Sequence, residues 1–468
     1  MTTPTTVPVA STAGAASPAT PEEPLLRMHP LGLAAALAAV MIPIMSFFTV
    51  NVALGSIGSD LGATPAVLQL VVAAYGVVYA SLVAMGGRLG DGFGRKRMLV
   101  LGLLVFAVTS LLCAFAQSPS ALVGARFIQG ASAALVAPQV LATLHAANEG
   151  HHRNRALAWF GASAGLGTSL AFLIGGTLTD SDLGWRAIFW VNVPIAALVM
   201  LGVWRFVPET KAPTRPALDL VGAALLGTAL TLLVLPLTEG RATGWPAWTW
   251  ACLAGVLPVT AVLAWWQLRV EARGGTPLVP PSLFRFRSIG VGLLTGLPFF
   301  VAFGGFMFVY GYAAQVAGRT PLDIGVSLLP MSLGFLVASL VAGRLVPRYG
   351  AWVLTLGALV GAVGFAWLGA VGIEDTAPPL PAVAVVGLGF GLTWSPLMGV
   401  VLSQVHGHMA GLGSGLLITT MQAGLGLGAA VVGSIYLAQT DGFAPTTYLL
   451  GGVMLVIAAL TRLLEPRR

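Results

Sequence analysis

The sequence predicts an all-α polytopic membrane protein, on three observations. The 468 residues are 57% hydrophobic and only 8% charged, whereas soluble domains carry about 25% charged residues. Apolar runs recur along nearly the whole chain, each near the ~20 residues that cross about 30 Å of hydrocarbon as a helix. Lysine and arginine collect in alternate loops between those runs. Helices are required because unpaired backbone groups are too costly in lipid. The 60 glycines suit the same class, since small residues let membrane helices approach closely.

Fourteen runs are read in order, at 31–54, 66–86, 98–116, 121–145, 155–179, 186–206, 217–237, 248–268, 288–316, 324–345, 351–372, 381–403, 410–437 and 445–463. The charges test this count, because loops rich in Lys and Arg stay on the cytoplasmic side. Arg27 precedes span 1. Arg88, Arg95, Lys96 and Arg97 follow span 2, and Arg153 and Arg155 follow span 4. Arg205, Lys211 and Arg215 follow span 6; Arg269, Arg273, Arg285 and Arg287 follow span 8. Arg344 and Arg348 follow span 10, and Arg462, Arg467 and Arg468 close the chain. The other loops hold only Arg186, Arg241 and Arg319, with Asp60, Asp180, Asp182, Glu239, Asp323, Glu374, Asp375 and Asp441. The pattern predicts a multi-pass protein of the cytoplasmic membrane with both termini cytoplasmic.

Residues 1–26 are rich in Thr, Ala, Pro and Ser, with Glu22 and Glu23. They carry neither the basic nor the apolar region of a signal peptide. Residues 1–30 are therefore expected to be a disordered cytoplasmic tail. The net charge of +7 lies in short loops and does not point to nucleic acid. Cys113 and Cys252 lie in or beside apolar runs and read as packing residues.

Gly87-Arg88-Leu89 followed by Gly94 returns as Gly343-Arg344-Leu345 followed by Gly350. Both copies are expected to be cytoplasmic loops, after spans 2 and 10. Spans 1–6 and 9–14 thus read as two related halves with spans 7 and 8 inserted. The expected units are a six-helix bundle at 31–206, two additional spans at 207–287, and a second bundle at 288–468. Parallel repeats of this kind mark transporters that rock two bundles about a central site.

The connector Gly87–Lys96, with Asp91 and Arg95, is one of several landmarks. Arg126-Phe127-Ile128-Gln129-Gly130 with Pro138, Thr49-Val50-Asn51-Val52-Ala53-Leu54 and Trp185-Arg186 with Phe189, Asn192 and Pro194 are others. Leu283-Phe284-Arg285 and Gly318-Arg319-Thr320-Pro321 through Leu329-Pro330 follow. On these motifs the chain from about residue 30 to 465 resembles the major facilitator superfamily, specifically its fourteen-span drug:proton antiporter branch. The resemblance implies the major facilitator fold and export of small organic molecules by alternating access, with protons as coupling ion. It also implies a latch at the connector. Two positions depart from the branch. Ser46 stands where it usually has an aspartate in span 1. Ala171-Phe172 stand where a Gly-Pro pair usually precedes Gly175-Gly176.

The candidate site follows from polar groups in apolar surroundings. Arg126 lies inside an apolar run, and such residues usually face a bundle interior or a water-filled cavity. Gln129 lies about one helical turn away. Arginine does not release its proton, so a relay needs a partner, and no Asp or Glu lies near the middle of any span. Proton coupling and gating are therefore assigned to Asp91, Arg95, Arg126 and His145, with uncoupled transport as the alternative. Substrate contacts are expected from Phe47, Phe48, Asn51, Tyr75, Arg126, Gln129, Phe299, Phe303, Tyr310, Trp394 and Gln422. With arginine as the deep charge, a neutral, zwitterionic or anionic substrate is favoured over a lipophilic cation.

The competing functions fit less well. An enzyme lacks its chemistry: His29, His145, His151, His152, His406 and His408 join no nucleophile or metal-ligand set. No G-x-x-x-x-G-K-[ST] exists for an ATP-driven pump. The repeat and Arg126 argue against a non-transporting scaffold or receptor. No cofactor and no metal are expected, and a monomer in the lipid bilayer is.

Overall fold

The computed structural model describes residues 28–211, 217–373, 379–402 and 409–464, and among these every regular element is a helix. The chain forms α1 (Pro30–Leu61), α2 (Pro65–Phe93), α3 (Arg95–Ala114), α4 (Pro119–Ala146), α5 (Gly150–Thr179), α6 (Ala187–Trp190) and α7 (Asn192–Phe206). It continues with α8 (Leu220–Glu239), α9 (Ala247–Ala272), α10 (Arg287–Val316), α11 (Pro321–Tyr349), α12 (Trp352–Val371), α13 (Leu380–Leu402), α14 (Met409–Leu437) and α15 (Phe443–Thr461). Among the described residues, 13 helical stretches are long and apolar enough to cross a membrane. The remaining long helix, α5, has 30 residues and contributes the apolar stretch Gly165–Thr179. Of the residues expected as a disordered tail (1–30), 1–27 lie outside the described part, as do Arg215, Glu374, Asp375, His406, His408, Arg467 and Arg468. Met28 is buried and Pro30 begins α1, so the last three positions are a correction.

Local sequence explains the helix starts. Thr64 and Ser118 accept the amides of Val67 and Ala121, each with a proline just inside the helix. Thr320 and Asp323 close a reciprocal capping box at the start of α11. Span 6 is interrupted: α6 stops at Trp190 and α7 starts at Asn192. Pro194 has no amide hydrogen to donate back into α6, which explains the break.

The connector is a correction. Gly87–Phe93 are the last turns of α2, and only Gly94 leaves the helix, at φ 109°. The second copy behaves alike, with α11 running to Tyr349 and Gly350 turning at φ 55°. A continued helix keeps its backbone hydrogen bonds paired where a loop would not. The connector's charge had suggested a loop, but these residues lie at the polar end of the span.

Helices α1–α7 pack on one another, as do α10–α15. The two groups meet along α1/α10, α2/α14 and α5/α11. Gly311 abuts the Asn51 carbonyl, Gly325 the Phe172 carbonyl, and Gly76 faces Gly426. These contacts all lie in the helix halves toward one face, hereafter the acidic face. Both the start of α1 and the end of α15 lie at the opposite, arginine-rich face. Ala171 and Phe172 are fully buried in α5, and Gly175 and Gly176 keep its approach to Thr49 and Pro321 close. The α5/α11 seam therefore stays tight without the Gly-Pro pair.

The inserted pair has a defined seat. Leu230 and Val234 of α8 pack with Ala73, Val77 and Ala80 of α2 and with Ala423, Leu427 and Ala430 of α14. Helix α8 thus covers the α2/α14 seam, and α9 packs outside it.

Candidate functional site

Arg126 sits seven residues beyond Pro119 on α4 and has no exposure at all. Its Nε donates to the Val71 carbonyl at 3.2 Å, and its Nη1 to Gln129 Oε1 at 2.7 Å. Nη1 also reaches Ser46 Oγ at 3.3 Å and the Ser46 carbonyl at 3.4 Å. The guanidinium lies 4.3 Å from the centre of the Tyr75 ring, a favourable cation–π distance. Gln129 passes the network on, donating to Ser110 Oγ at 2.8 Å. Cys113 Sγ lies 3.9 Å from Gln129 Oε1, so this cysteine touches the polar network as well as the core. Every neighbour named here is neutral, and Arg126 Nη2 has no hydrogen-bond partner.

A second cluster lies alongside. Phe47 is 5.9 Å from Tyr75 and 5.1 Å from Phe48, centre to centre. Phe48 crosses between the helix groups to Phe303 at 5.7 Å. Phe303 meets Phe390 at 4.6 Å and Trp394 at 5.3 Å, and Phe299 meets Phe390 at 5.5 Å. Edge-on geometries dominate, as aromatic quadrupoles favour. The structure therefore joins Phe47, Phe48, Tyr75, Arg126, Gln129, Phe299, Phe303 and Trp394 into one continuous region.

Of the other expected residues, Tyr310 borders this region through Phe306, 5.6 Å away and itself 6.3 Å from Phe390, and the rest lie elsewhere. Tyr310 donates to Ser327 Oγ at 2.9 Å, holding α10 against α11. Asn51 donates to the Phe47 carbonyl within α1 and backs onto Gly311 at the seam. Gln422 is buried on α14, where its backbone carbonyl faces Gly76. Asp91 Oδ1 accepts both Arg95 Nε at 3.0 Å and Nη2 at 2.8 Å at the arginine-rich face. Arg95 reaches on to the Ala142 carbonyl at 3.3 Å, so the named partners of this pair lie on α2–α4. His145 is exposed in the last turn of α4. It lies 19 residues, or about 28 Å along the axis, from Arg126. Direct contact between the two is ruled out at that distance.

Sequence reading missed several members. Ser110 was missed because α3 reaches the network only through tertiary packing. Phe300 and Phe335, which both touch Trp394, carried no pattern distinguishing them from core residues. Phe390 stands four residues before Trp394, and that helical spacing was the one available signal. Arg88 reads in the sequence as one of the loop charges after span 2, and Asp219 stands inside the first turn of the seventh apolar run. Arg88 instead donates to the carbonyls of Ala217, Thr276 and Pro277 at 3.1, 2.7 and 2.5 Å. Asp219 accepts from Trp266 Nε1, the Gly222 amide, Gln267 Nε2 and the Leu278 amide at 2.8–2.9 Å. Burial alone would raise the Asp219 pKa, but these four hydrogen bonds hold it below the usual carboxylate value.

The comparisons agree with this architecture. The family model described as Major Facilitator Superfamily matches residues 36–429. The chain belongs to the major facilitator superfamily. Among its superfamily relatives, a probable actinorhodin transporter of Streptomyces coelicolor is 36% identical over 412 residues, covering 86% of this chain and 71% of the relative. A puromycin resistance protein of Streptomyces alboniger is 35% identical over 425 residues, covering 88% and 82%. A cephamycin export protein of Amycolatopsis lactamdurans is 38% identical over 412 residues, covering 84% and 82%. Among solved structures of the same fold, a peptide transporter in complex with sulfate superposes with a TM-score of 0.68 at 16% identity, covering 93% and 94% of the chains. The Escherichia coli xylose transporter, in a partially occluded inward-open conformation, gives 0.65 at 15% identity over 93% and 99%. As a superfamily member the chain is a secondary active transporter of small organic molecules, not an enzyme. Its relatives include several antibiotic and drug efflux proteins, in keeping with the drug:proton antiporter branch.

Proposed function

We propose that this protein exports a drug, antibiotic or endogenous metabolite across the cytoplasmic membrane by alternating access, as a monomer and with proton antiport. The carrying observation is the aromatic bridge Phe48–Phe303–Trp394, which joins the two helix groups beside the buried Arg126 network. A site shared between two groups opens to one face when they rock one way and to the other when they rock back. The arginine-rich face is taken as cytoplasmic on the positive-inside rule. Phe47, Phe48, Asn51, Tyr75, Arg126, Gln129, Phe299, Phe303, Tyr310, Trp394 and Gln422 are assigned to substrate, as contacts or as supports of the bridge. Asp91 and Arg95 act as the cytoplasmic latch, and His145 is a second titratable group at that face.

The test is accumulation and drug susceptibility in a pump-deficient bacterial host. Wild type is expected to lower intracellular drug, and Arg126→Ala to lose that effect with the protein still present in the membrane. Equal accumulation with and without wild-type protein across a broad drug panel would reject export.

A second reading has its own observation. Ser46 provides Arg126 with a hydroxyl and a backbone carbonyl but no carboxylate, and no acid lies near the middle of any span. Transport is then uncoupled, or coupled only through Asp91 or His145. In proteoliposomes, an imposed pH gradient leaves efflux unchanged if transport is uncoupled. Acceleration lost in Asp91→Asn or His145→Ala assigns the coupling to that group. Acceleration retained in both variants rejects this second reading.

A further inference from the structure

We propose that the transported molecule is an organic acid with an aromatic body, and that its carboxylate becomes the counter-ion of Arg126. The inference rests on the transport reading above and names the substrate class for that same site.

The argument starts from charge. Arginine stays protonated at any depth, and an ionised group taken out of water is held by carbonyls and other neutral acceptors but more strongly by a partner of opposite sign. Arg126 is fully buried, and Val71, Ser46, Gln129 and Tyr75 offer it only neutral groups. Its Nη2 donates to nothing. Among the described residues, none of the hydrogen-bond or ring partners named for Arg126 is an acid, and several acids at helix ends are engaged elsewhere. Asp60 holds Trp185 and Arg186, Asp323 caps α11, Asp91 holds Arg95, and Asp219 takes four donors. The protein thus supplies a deep positive charge with an open donor and no carboxylate to meet it.

The surroundings specify the rest of the ligand. Tyr75 covers the guanidinium, Phe47 covers Tyr75, and the rings continue through Phe48 to Phe303, Phe390 and Trp394. An anionic group at Nη2 would place an attached ring system against this aromatic run. Guanidinium and carboxylate form charge-assisted hydrogen bonds, the strong class. Arg126 is closed to solvent in this state, so entry requires a local shift of α1. Pro43 provides the place, because it removes one backbone hydrogen bond three residues before Ser46.

The test is equilibrium dialysis of purified full-length protein against three probes of one shape: 2-naphthoate, 2-naphthamide and 2-naphthylmethylammonium. We expect the carboxylate to bind at least about tenfold more tightly than the other two, the range of one charge-assisted hydrogen bond. Arg126→Gln should erase the difference and Arg126→Lys should keep part of it. Ser46→Asp is the decisive variant, since it adds an internal carboxylate beside Nη1. It should abolish the preference for naphthoate and favour the ammonium, even if Arg126→Gln fails to fold. Equal binding of carboxylate and amide by wild type overturns the proposal, as does an unchanged preference in Ser46→Asp. The readout is binding, so export of neutral or cationic drugs with no anion preference would sink this inference and leave the export reading standing.

Discussion

At the scale of single residues, the repeated Gly-Arg-Leu motif separates into parts with different physical duties. Gly94 and Gly350 end their helices at positive φ, where a side chain strains the backbone. Gly343 is helical, and a Cβ there would meet nothing within 4 Å. Gly94→Ala and Gly350→Ala should therefore each destabilise by about 1–2 kcal/mol, while Gly343→Ala should be neutral or slightly stabilising. Thermal unfolding of the purified protein checks the contrast, and equal effects at Gly343 and Gly350 would refute it. The spacing shared by the two copies, read as one signature, thus holds one position of backbone need and one of ordinary helix.

At the scale of elements, the inserted pair is fastened by polar groups at one end and by apolar packing along its length. Arg88 on α2 takes three carbonyls of the two linkers, and Asp219 at the start of α8 takes four donors from α8, α9 and the linker beyond. Gln267 adds Val279, and Glu271 adds Ser282, so α9 is tied down on the same side. Asp219→Ala leaves these donors unpaired and should cost about 1–3 kcal/mol, read as a lower unfolding temperature. The pH dependence has a definite sign. A carboxylate held below its unfolded value, near 3.9, contributes stability at neutral pH and loses it as pH falls through the folded-state value. Wild type should therefore lose more stability than Asp219→Ala on acidification below about pH 4, and parallel pH profiles would show that Asp219 contributes nothing.

At the scale of the whole molecule, the seal on the acidic face is built from backbone-to-backbone approaches at glycine. A Cβ on Gly311 would stand 2.3 Å from the Asn51 carbonyl, and one on Gly325 the same distance from the Phe172 carbonyl. Backbone cannot move aside as a flexible side chain would, so Gly311→Val should hold α1 and α10 apart. Gln315, which donates to the Val52 carbonyl across this seam at 3.1 Å, reports on it. Gln315→Cys should resist a membrane-impermeant maleimide in the sealed state and label readily once Gly311→Val is added. Transport by Gly311→Val should fall to background because the seal no longer closes. Full transport with an unlabelled cysteine would show that the seam tolerates the wedge.

The sequence alone determined the membrane class, the succession of long apolar helices and the family, because these follow from hydrophobic length and motif order along one dimension; of the fourteen spans read, 13 are long and apolar enough to cross among the described residues. It also singled out Arg126 and most of the aromatic residues, since a buried charge or a run of rings is visible without coordinates. Tertiary structure decided what those residues meet. Ser46, Ser110, Tyr75 and Gln129 come from four different helices, and Phe48 and Phe303 lie 255 positions apart before the fold brings them within 5.7 Å. The course of the connector as helix, the seat of α8 over the α2/α14 seam and the burial of Arg88 and Asp219 were likewise settled in three dimensions. Loop-like composition, apolar faces and isolated charges do not say which neighbour will satisfy them; only the packing of helices from distant parts of the chain supplies that neighbour.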